Sequence, residues 1–445
     1  MKKDLREIRN ITEGGLYRES DGALTVDGFF SDSRKAEKGK MFLALRGEKI
    51  NGNAYIADVV KAGACALCDD REYFSEGCVL VPDVRKALQK LAEHYRDNDL
   101  KDVRVIGVTG SVGKTTTKDM VACALSAGRT VHKTAGNANS QIGLPITVLD
   151  TPADCDIAVV ELGMSYKGEM ERISRVAKPD ISIITNIGHS HIENLGSREA
   201  IRDEKIKIAA FSKPGSVMLL NGDEPLLKGL DLKDKKVYYI SVSDKNADCF
   251  ACGIVSGAGG LSFTASIFGE KAEVRLKAIG IHYVMNALFS LAAAKLCGVD
   301  LASSCEKLAS YESDGRRQYI YESEGHTVIS DCYNAAPESM KAALSVLGGY
   351  RGRRRVAVLG DILELGEGSP LYHKELSATA DENADVLVTF GELARNYAES
   401  FKGEVYMFPA DRGEELKEFL KMIIRPGDVV LYKASNGMRL FDCIV

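Results

Sequence analysis

The sequence predicts an α/β protein of three domains, with a mostly parallel central sheet that carries a phosphate-binding loop. Three observations predict it. From Val103 onward β-branched runs alternate with amphipathic stretches, a glycine-bounded loop joins one such strand to its helix, and a second α/β alternation fills residues 314–445.

Residues 1–100 read as a small α/β domain of short strands and turns ("ALTVDGFFSDSR", "GKMFLALRG") with two amphipathic helices. The polar stretch "RDNDLKD" reads as a linker. Residues 101–313 form the predicted central domain: strand "VRVIGVTG", a helix over 114–127, then strands in "DIAVVELGM", "DISIITNIG" and "SVMLLNGDEP". Residues 247–279 switch to glycine-rich two-residue patterning, which predicts a small antiparallel sheet beside the main one, and "HYVMNALFSLAAAKLCG" closes the unit as a helix. Residues 314–445 predict a Rossmann-like domain with strands near 326–332, 355–360, 385–390 and 428–433, without a GxGxxG fingerprint.

Composition narrows the function. Sixty-three acidic against 58 basic residues leave a net charge of −5, which gives no basic footprint for nucleic acid. No run approaches the roughly 18 apolar residues of a membrane span, and "MKKDLREIRN" lacks the hydrophobic core of a signal peptide. A cytoplasmic monomer without membrane insertion is expected. Eleven cysteines, an odd number scattered through strands and helices, fit reduced thiols. The pairs Cys65/Cys68 and Cys249/Cys252 fall in different predicted domains, so no zinc site is expected from them.

"VIGVTGSVGKTTTKDM" has the strand, tight loop and helix start of a phosphate-binding loop. Gly110 and Gly113 let the backbone N–H groups of Gly110, Ser111, Val112 and Gly113 turn toward phosphates; Lys114 reaches the outer phosphates, and Thr115 and Thr116 open the helix, Thr115 offering a hydroxyl to Mg²⁺. The strict pattern asks for glycine at position 108, and here Val108 follows Gly107. The strand "DIAVVELG" ends in Glu161 rather than aspartate; a carboxylate there still supplies a hard oxygen for Mg²⁺.

The stretch "ITNIGHSHIENLGSREAIRDEKIKIAAF", residues 184–211, places two histidines after an apolar strand and a lysine on the next helix. With Ser197 as N-cap, Ile201, Lys205, Ile208 and Ser212 share one face by the 3,4 spacing, so Lys205 lies on the inward stripe. Burial of an ammonium is costly unless it is paired or loses its proton; the alternative is a stem that snorkels to solvent.

In this order, "TGSVGKTTT", "ELGM", "TNIGHSHIENLGS", "NGDEP", "GIHYVMNALFSLAAA", "DGR" and "DCYNAAPESM" resemble the Mur ligase family, the ATP-dependent amino-acid and peptide ligases of peptidoglycan precursor synthesis. The resemblance spans essentially the whole chain. "DCYNAAPESMKAAL" and "LGDILELGE" look like the members that add D-alanyl-D-alanine to UDP-N-acetylmuramoyl-tripeptide. It implies ATP and two Mg²⁺ ions as cofactors, with Lys114 and Thr115 at the phosphates, and Thr115, Glu161, His191 and Lys205 at the metals, Lys205 as a carbamate. His189 is left without a role. It further implies Asn286 at adenine, Asp331 at ribose and Arg316 reaching the γ-phosphate from the third domain. Asn137 and Asn139 stand beside the reacting carboxylate, and Ser31, Ser33 and Arg34 at the uridine nucleotide of a first domain. Departures from the family pattern fall at Ser31, Ser140, Asn51, Asn53 and Ala434. Alternatives are a diamino-acid-adding or folylpolyglutamate-like ligase, or a P-loop ATPase or regulatory module on the same scaffold.

Overall fold

The structure, a computed structural model, describes residues 1–257, 260–313 and 318–445. Its centre is a nine-stranded sheet. Strand Arg104–Thr109 lies between Ile157–Glu161 and Ile181–Ile184, all parallel and in register so that Thr109, Glu161 and Ile184 end at one edge of the sheet. Their β-branched side chains are buried on both faces, as a sheet covered by helices on either side requires. The crevice beyond those carboxyl ends is where an open α/β sheet takes its ligand.

The antiparallel strands predicted beside this sheet extend it. Lys236–Ser241, a strand the sequence pattern did not single out, pairs in parallel with Val217–Asn221 and with the start of Cys249–Gly257, and the antiparallel strands Gly260–Ile267 and Glu270–Leu276 follow. The ladder groups of Lys236–Ser241 are thereby satisfied rather than left as an open edge.

Five short strands form the N-terminal sheet, in the order Gly15–Leu16, Cys78–Leu80, Cys65–Cys68, Met41–Leu43, Phe29–Phe30. The predicted linker "RDNDLKD" differs from expectation. Its first residues complete helix Val84–Asn98, and Arg96 is buried, donating to the carbonyls of Leu100 and Ala177 (2.7 and 3.1 Å) and pairing with Asp180 at 3.2 Å. A guanidinium with several carbonyl partners is a satisfied interior group; Leu100 is four residues on, but Ala177 and Asp180 lie more than 80 residues away along the chain, where local composition does not reach. One apolar core runs from Leu88 and Leu91 of that helix to Leu144, Val148 and Ile173 of the central unit.

The C-terminal sheet has six strands: Tyr319–Ser323, His326–Ser330, Val429–Lys433, Arg355–Gly360, Val386–Phe390 and Glu404–Phe408, antiparallel only at the first pair. Its two edge strands went unpredicted, since half-exposed edges carry mixed polar residues ("YIYES", "EVYMF") rather than an apolar run. Among the described residues no helix is long and apolar enough to cross a membrane.

Candidate active site

The loop after Arg104–Thr109 turns on Gly110 at φ +152°, and a Cβ there would stand 1.9 Å from Thr185 Oγ1. Only glycine fits. Thr185 donates to Val112 O (2.6 Å), while Asn186 Oδ1 accepts the N–H groups of Ser111 and Val112 at 3.0 and 2.9 Å. "TN" at the end of the neighbouring strand therefore braces the loop, a function the motif alone did not reveal. Val108, at the position where glycine is usual, is buried in the strand and lies ahead of the turn, which explains why it is tolerated. Gly110→Ala is expected to keep the fold and weaken ADP binding about a hundredfold by calorimetry, because positive-φ strain alone costs ~1–3 kcal/mol and the added methyl displaces Thr185; unaltered affinity would contradict the tight turn.

Helix Lys114–Leu125 starts at once after Gly113, so its N-terminal N–H groups and dipole face the crevice. Lys114 Nζ folds onto Gly110 O and Ser111 O at 2.9 and 3.1 Å. Thr115 Oγ1 donates to Glu161 Oε2 at 2.8 Å and Asn139 Nδ2 to Oε1 at 2.7 Å, while Glu161 N donates to Thr134 Oγ1 at 2.9 Å. A buried carboxylate and a hydroxyl beside a phosphate loop are hard oxygen donors, a set that suits Mg²⁺.

Lys205 sits where helical spacing puts it. Ser197 caps helix Arg198–Lys205 by accepting from Ala200 N, and Ile201, Lys205, Ile208 and Ser212 are all buried. Lys205 is 1% exposed, so the snorkelling alternative fails. Its Nζ donates to Gly110 O at 3.0 Å, the carbonyl that also receives Lys114. Burial first, and the Lys114 charge second, push the Lys205 amine well below the usual lysine range.

The two histidines face the third domain. His191, in the left-handed region at φ +63°, places Nδ1 2.6 Å from Glu364 Oε2. His189, which motif alignment left idle, meets Glu338 Oε1 at 2.6 Å and packs on Tyr372. That contact lowers the Glu338 carboxyl against the opposing effect of burial. Both pairs join the central unit to the third, a long-range relation that the spacing of the histidines does not encode.

A cavity of about 460 Å³ gathers Ser111, Val112, Gly113, Lys114, Thr116, Asn137, Asn139, Glu161 and His191 opposite Asp331 and Lys433. Lys433 is buried and pairs with Asp331 at 2.6 Å; the sequence reading noted only its neighbour Ala434. Asn286 lines an adjoining cavity with Asp331, its Oδ1 accepting from Thr117 Oγ1 at 3.0 Å. Lys205 lies behind the loop and does not line the main cavity. Among the described residues no three His, Cys, Asp or Glu side chains converge as a ready ligand cluster; of the predicted metal set, Glu161 and Thr115 are in direct contact. Ser31, Ser33 and Arg34 stand apart in the N-terminal unit, where Arg34 is exposed and paired with Asp32 at 2.8 Å. Arg316 lies outside the described residues.

Residues 108–294 match the Mur ligase middle domain and residues 315–436 the Mur ligase, glutamate ligase domain. The chain is 36% identical over 457 aligned positions to the UDP-N-acetylmuramoyl-tripeptide–D-alanyl-D-alanine ligase of Bacillus subtilis, covering 100% of this chain and 98% of that one. The relative of the same name from Synechocystis is 32% identical, over 99% and 96% of the two chains. Among solved structures, MurF from Acinetobacter baumannii superposes with a TM-score of 0.91 at 28% identity, over 100% and 98% of the two chains. MurF ligase from Thermotoga maritima in complex with ADP gives 0.84 at 27%, over 94% and 96%. With a phosphate loop of this geometry and relatives matched end to end, the chain belongs to the Mur ligase family.

Proposed function

We propose that the chain is the ATP-dependent ligase that joins D-alanyl-D-alanine to UDP-N-acetylmuramoyl-tripeptide, in cytoplasmic synthesis of the peptidoglycan precursor. The observation that carries this reading is the cavity in which Lys114 and Glu161 of the central unit face Asp331 and Lys433 of the third, in a chain aligned along its length with ligases of that name.

Amide formation from a carboxylate and an amine is uphill in water, so the carboxylate must first be activated. The terminal carboxylate of the tripeptide attacks the γ-phosphorus of ATP, the bond to ADP breaks, and an acyl phosphate forms. The dipeptide amine then attacks the acyl carbon, the C–O bond to phosphate breaks, and the nitrogen gives up a proton as the amide forms. Lys114, held at the loop by two carbonyls, opposes the phosphate charge, and the helix N-terminus behind it adds partial positive charge without reorganising. Asn139 and Thr115 fix the Glu161 carboxylate, and Asn137 and Asn139 line the wall where the reacting carboxylate enters. Asn286 and Asp331, on either side of the adjoining cavity, take the adenosine, with Lys433 orienting Asp331. Glu161, Thr115, His191 and a carbamylated Lys205 would hold two Mg²⁺ ions, which when bound neutralise the triphosphate.

The neutral amine that burial favours is the form that adds CO₂: R–NH₂ + CO₂ gives R–NH–COO⁻ and a proton, and the Lys114 ammonium nearby favours the resulting anion. Arg316 is assigned the γ-phosphate on the resemblance alone, and Ser31, Ser33 and Arg34 the uridine nucleotide. Acyl phosphates hydrolyse, so enclosure between the two domains also protects the intermediate.

The reading is tested by phosphate release from ATP with purified protein. Release should require both UDP-muramoyl-tripeptide and D-Ala-D-Ala. Equal release with a single amino acid in place of the dipeptide would favour a diamino-acid-adding or folylpolyglutamate-like ligase, and release without either acceptor would favour a plain ATPase.

A further inference from the structure

Lys118 is one of the largest fully buried side chains of the chain, 1% exposed, and no step above uses it. It lies on helix Lys114–Leu125 one turn beyond Lys114, on the same face. Its ammonium does not reach the phosphate cavity. Instead Nζ donates to Thr134 O at 2.8 Å and to Gly136 O at 3.4 Å, with Asp119 Oδ1 at 3.3 Å as its counter-charge. Asp119 is itself shared with Lys133 at 2.6 Å.

The carbonyls it grips belong to the segment that shapes the other side of the site. Thr134 turns its hydroxyl toward Glu161 and accepts the Glu161 N–H at 2.9 Å; five residues later Asn139 donates to Glu161 Oε1 at 2.7 Å. Asn139 O also receives Gly163 N at 2.9 Å, tying the segment to the residues just after Glu161. The chain of contacts runs from the phosphate helix, through one buried ammonium, to the loop that holds Glu161 and presents Asn137 and Asn139. A surface anchor would not need a desolvated charge; placing one here costs free energy that only its hydrogen bonds and Asp119 offset.

We propose that Lys118 is a positioning residue that sets the loop 134–139 against the phosphate helix, and so fixes the Glu161 carboxylate at the place where nucleotide and divalent cation meet. The proposal rests on the ligase reading above, in which Glu161 serves Mg²⁺. Lys118 touches neither substrate nor cation. It acts through Thr134 and Asn139.

The test measures ADP binding by calorimetry, in excess EDTA and across a Mg²⁺ titration, for the unaltered protein, Lys118→Met, Thr134→Val and the double variant. Methionine keeps most of the side-chain length without a donor, and valine keeps the Thr134 carbonyl while deleting its hydroxyl. For Lys118→Met the Mg²⁺ concentration at half-effect should rise about tenfold, with ADP affinity in EDTA within twofold of the original. Thr134→Val should shift it in the same direction by less, and the double variant by less than the product of the two. Equal loss of ADP affinity with and without Mg²⁺ would overturn the proposal, since it would mark Lys118 as a scaffold residue alone. So would an unchanged Mg²⁺ dependence in a folded variant. If Lys118→Met fails to fold, Thr134→Val decides: a shifted Mg²⁺ dependence upholds the route through residue 134, and an unshifted one overturns it. Unaltered protein whose ADP binding ignores Mg²⁺ would remove the underlying reading of Glu161, a failure visible without any variant.

Discussion

Lys205→Ala is expected to abolish ligation, with the rate falling on the order of 10² to 10³ as for loss of a preorganised charge at a transferring group, and short-chain carboxylic acids are expected to restore part of it. The reasoning starts from cost. A fully buried lysine that donates to Gly110 O, a carbonyl shared with the Lys114 ammonium, is poorly placed to carry a proton. Neutral, it is a nucleophile for CO₂; as a carbamate it becomes an oxygen donor opposite Lys114. Acetate or propionate diffusing into the space left by alanine supplies the same carboxylate without the covalent link. The sign of the pH effect follows. Because the folded-state amine titrates below its unfolded value, the neutral form is lost as pH falls through the lowered folded value, and activity at limiting bicarbonate should fall with it. Steady-state rates with and without the acids, on protein shown to be folded by its melting curve, check this. A fully active Lys205→Ala would remove the carbamate from the account.

Glu161→Gln is the second large effect. Glutamine keeps the shape, yet it loses the charge, and it turns an NH₂ toward one of two groups, the Thr115 hydroxyl and the Asn139 amide, that now donate to carboxylate oxygens. The hydroxyl can rotate to accept; the amide donor of Asn139 then keeps the remaining oxygen. Stability should therefore change little, while the catalytic rate drops on the order of 10² to 10³, the range found when one preorganised group at a developing charge is removed. Binding of ADP in EDTA should hold within a factor of two or so. Kinetics, calorimetry and a melting curve separate these quantities; a rate within threefold of the original protein would show that the Glu161 charge takes no part.

How much of this was legible in the sequence differs from residue to residue, for physical reasons. Strand Arg104–Thr109, its loop and the helix from Lys114 were readable because each is local: a β-branched run, two glycines and a helix start in fixed order. Spacing left burial and snorkelling both open for Lys205, but its inward face was readable because helical spacing is local too, and the Ser197 cap set its phase. His189 was not, because its partner Glu338 is 149 residues away and lies in another domain. The same limit hid the burial of Arg96, which besides Leu100 O finds acceptors in residues 177–180, and Asn186, whose side-chain oxygen holds the loop backbone from beyond a neighbouring strand. Lys118 carried a faint signal, a second lysine at i+4 from Lys114, and spacing alone does not distinguish a buried anchor from an exposed charge. The metal set divides along the same line. Thr115 and Glu161 meet because the strand that leads through the loop to the Thr115 helix lies beside the strand that ends in Glu161, whereas His191 is engaged with Glu364 across the domain boundary.

The central claim is that the tripeptide carboxylate itself attacks the γ-phosphorus. Its most direct test labels the two terminal carboxylate oxygens of UDP-muramoyl-tripeptide with ¹⁸O, runs the reaction with ATP and D-Ala-D-Ala, and weighs the products. One ¹⁸O should appear in each inorganic phosphate released and one should stay in the new amide carbonyl of the pentapeptide. Unlabelled phosphate, or label recovered in AMP with pyrophosphate as the co-product, would contradict the account.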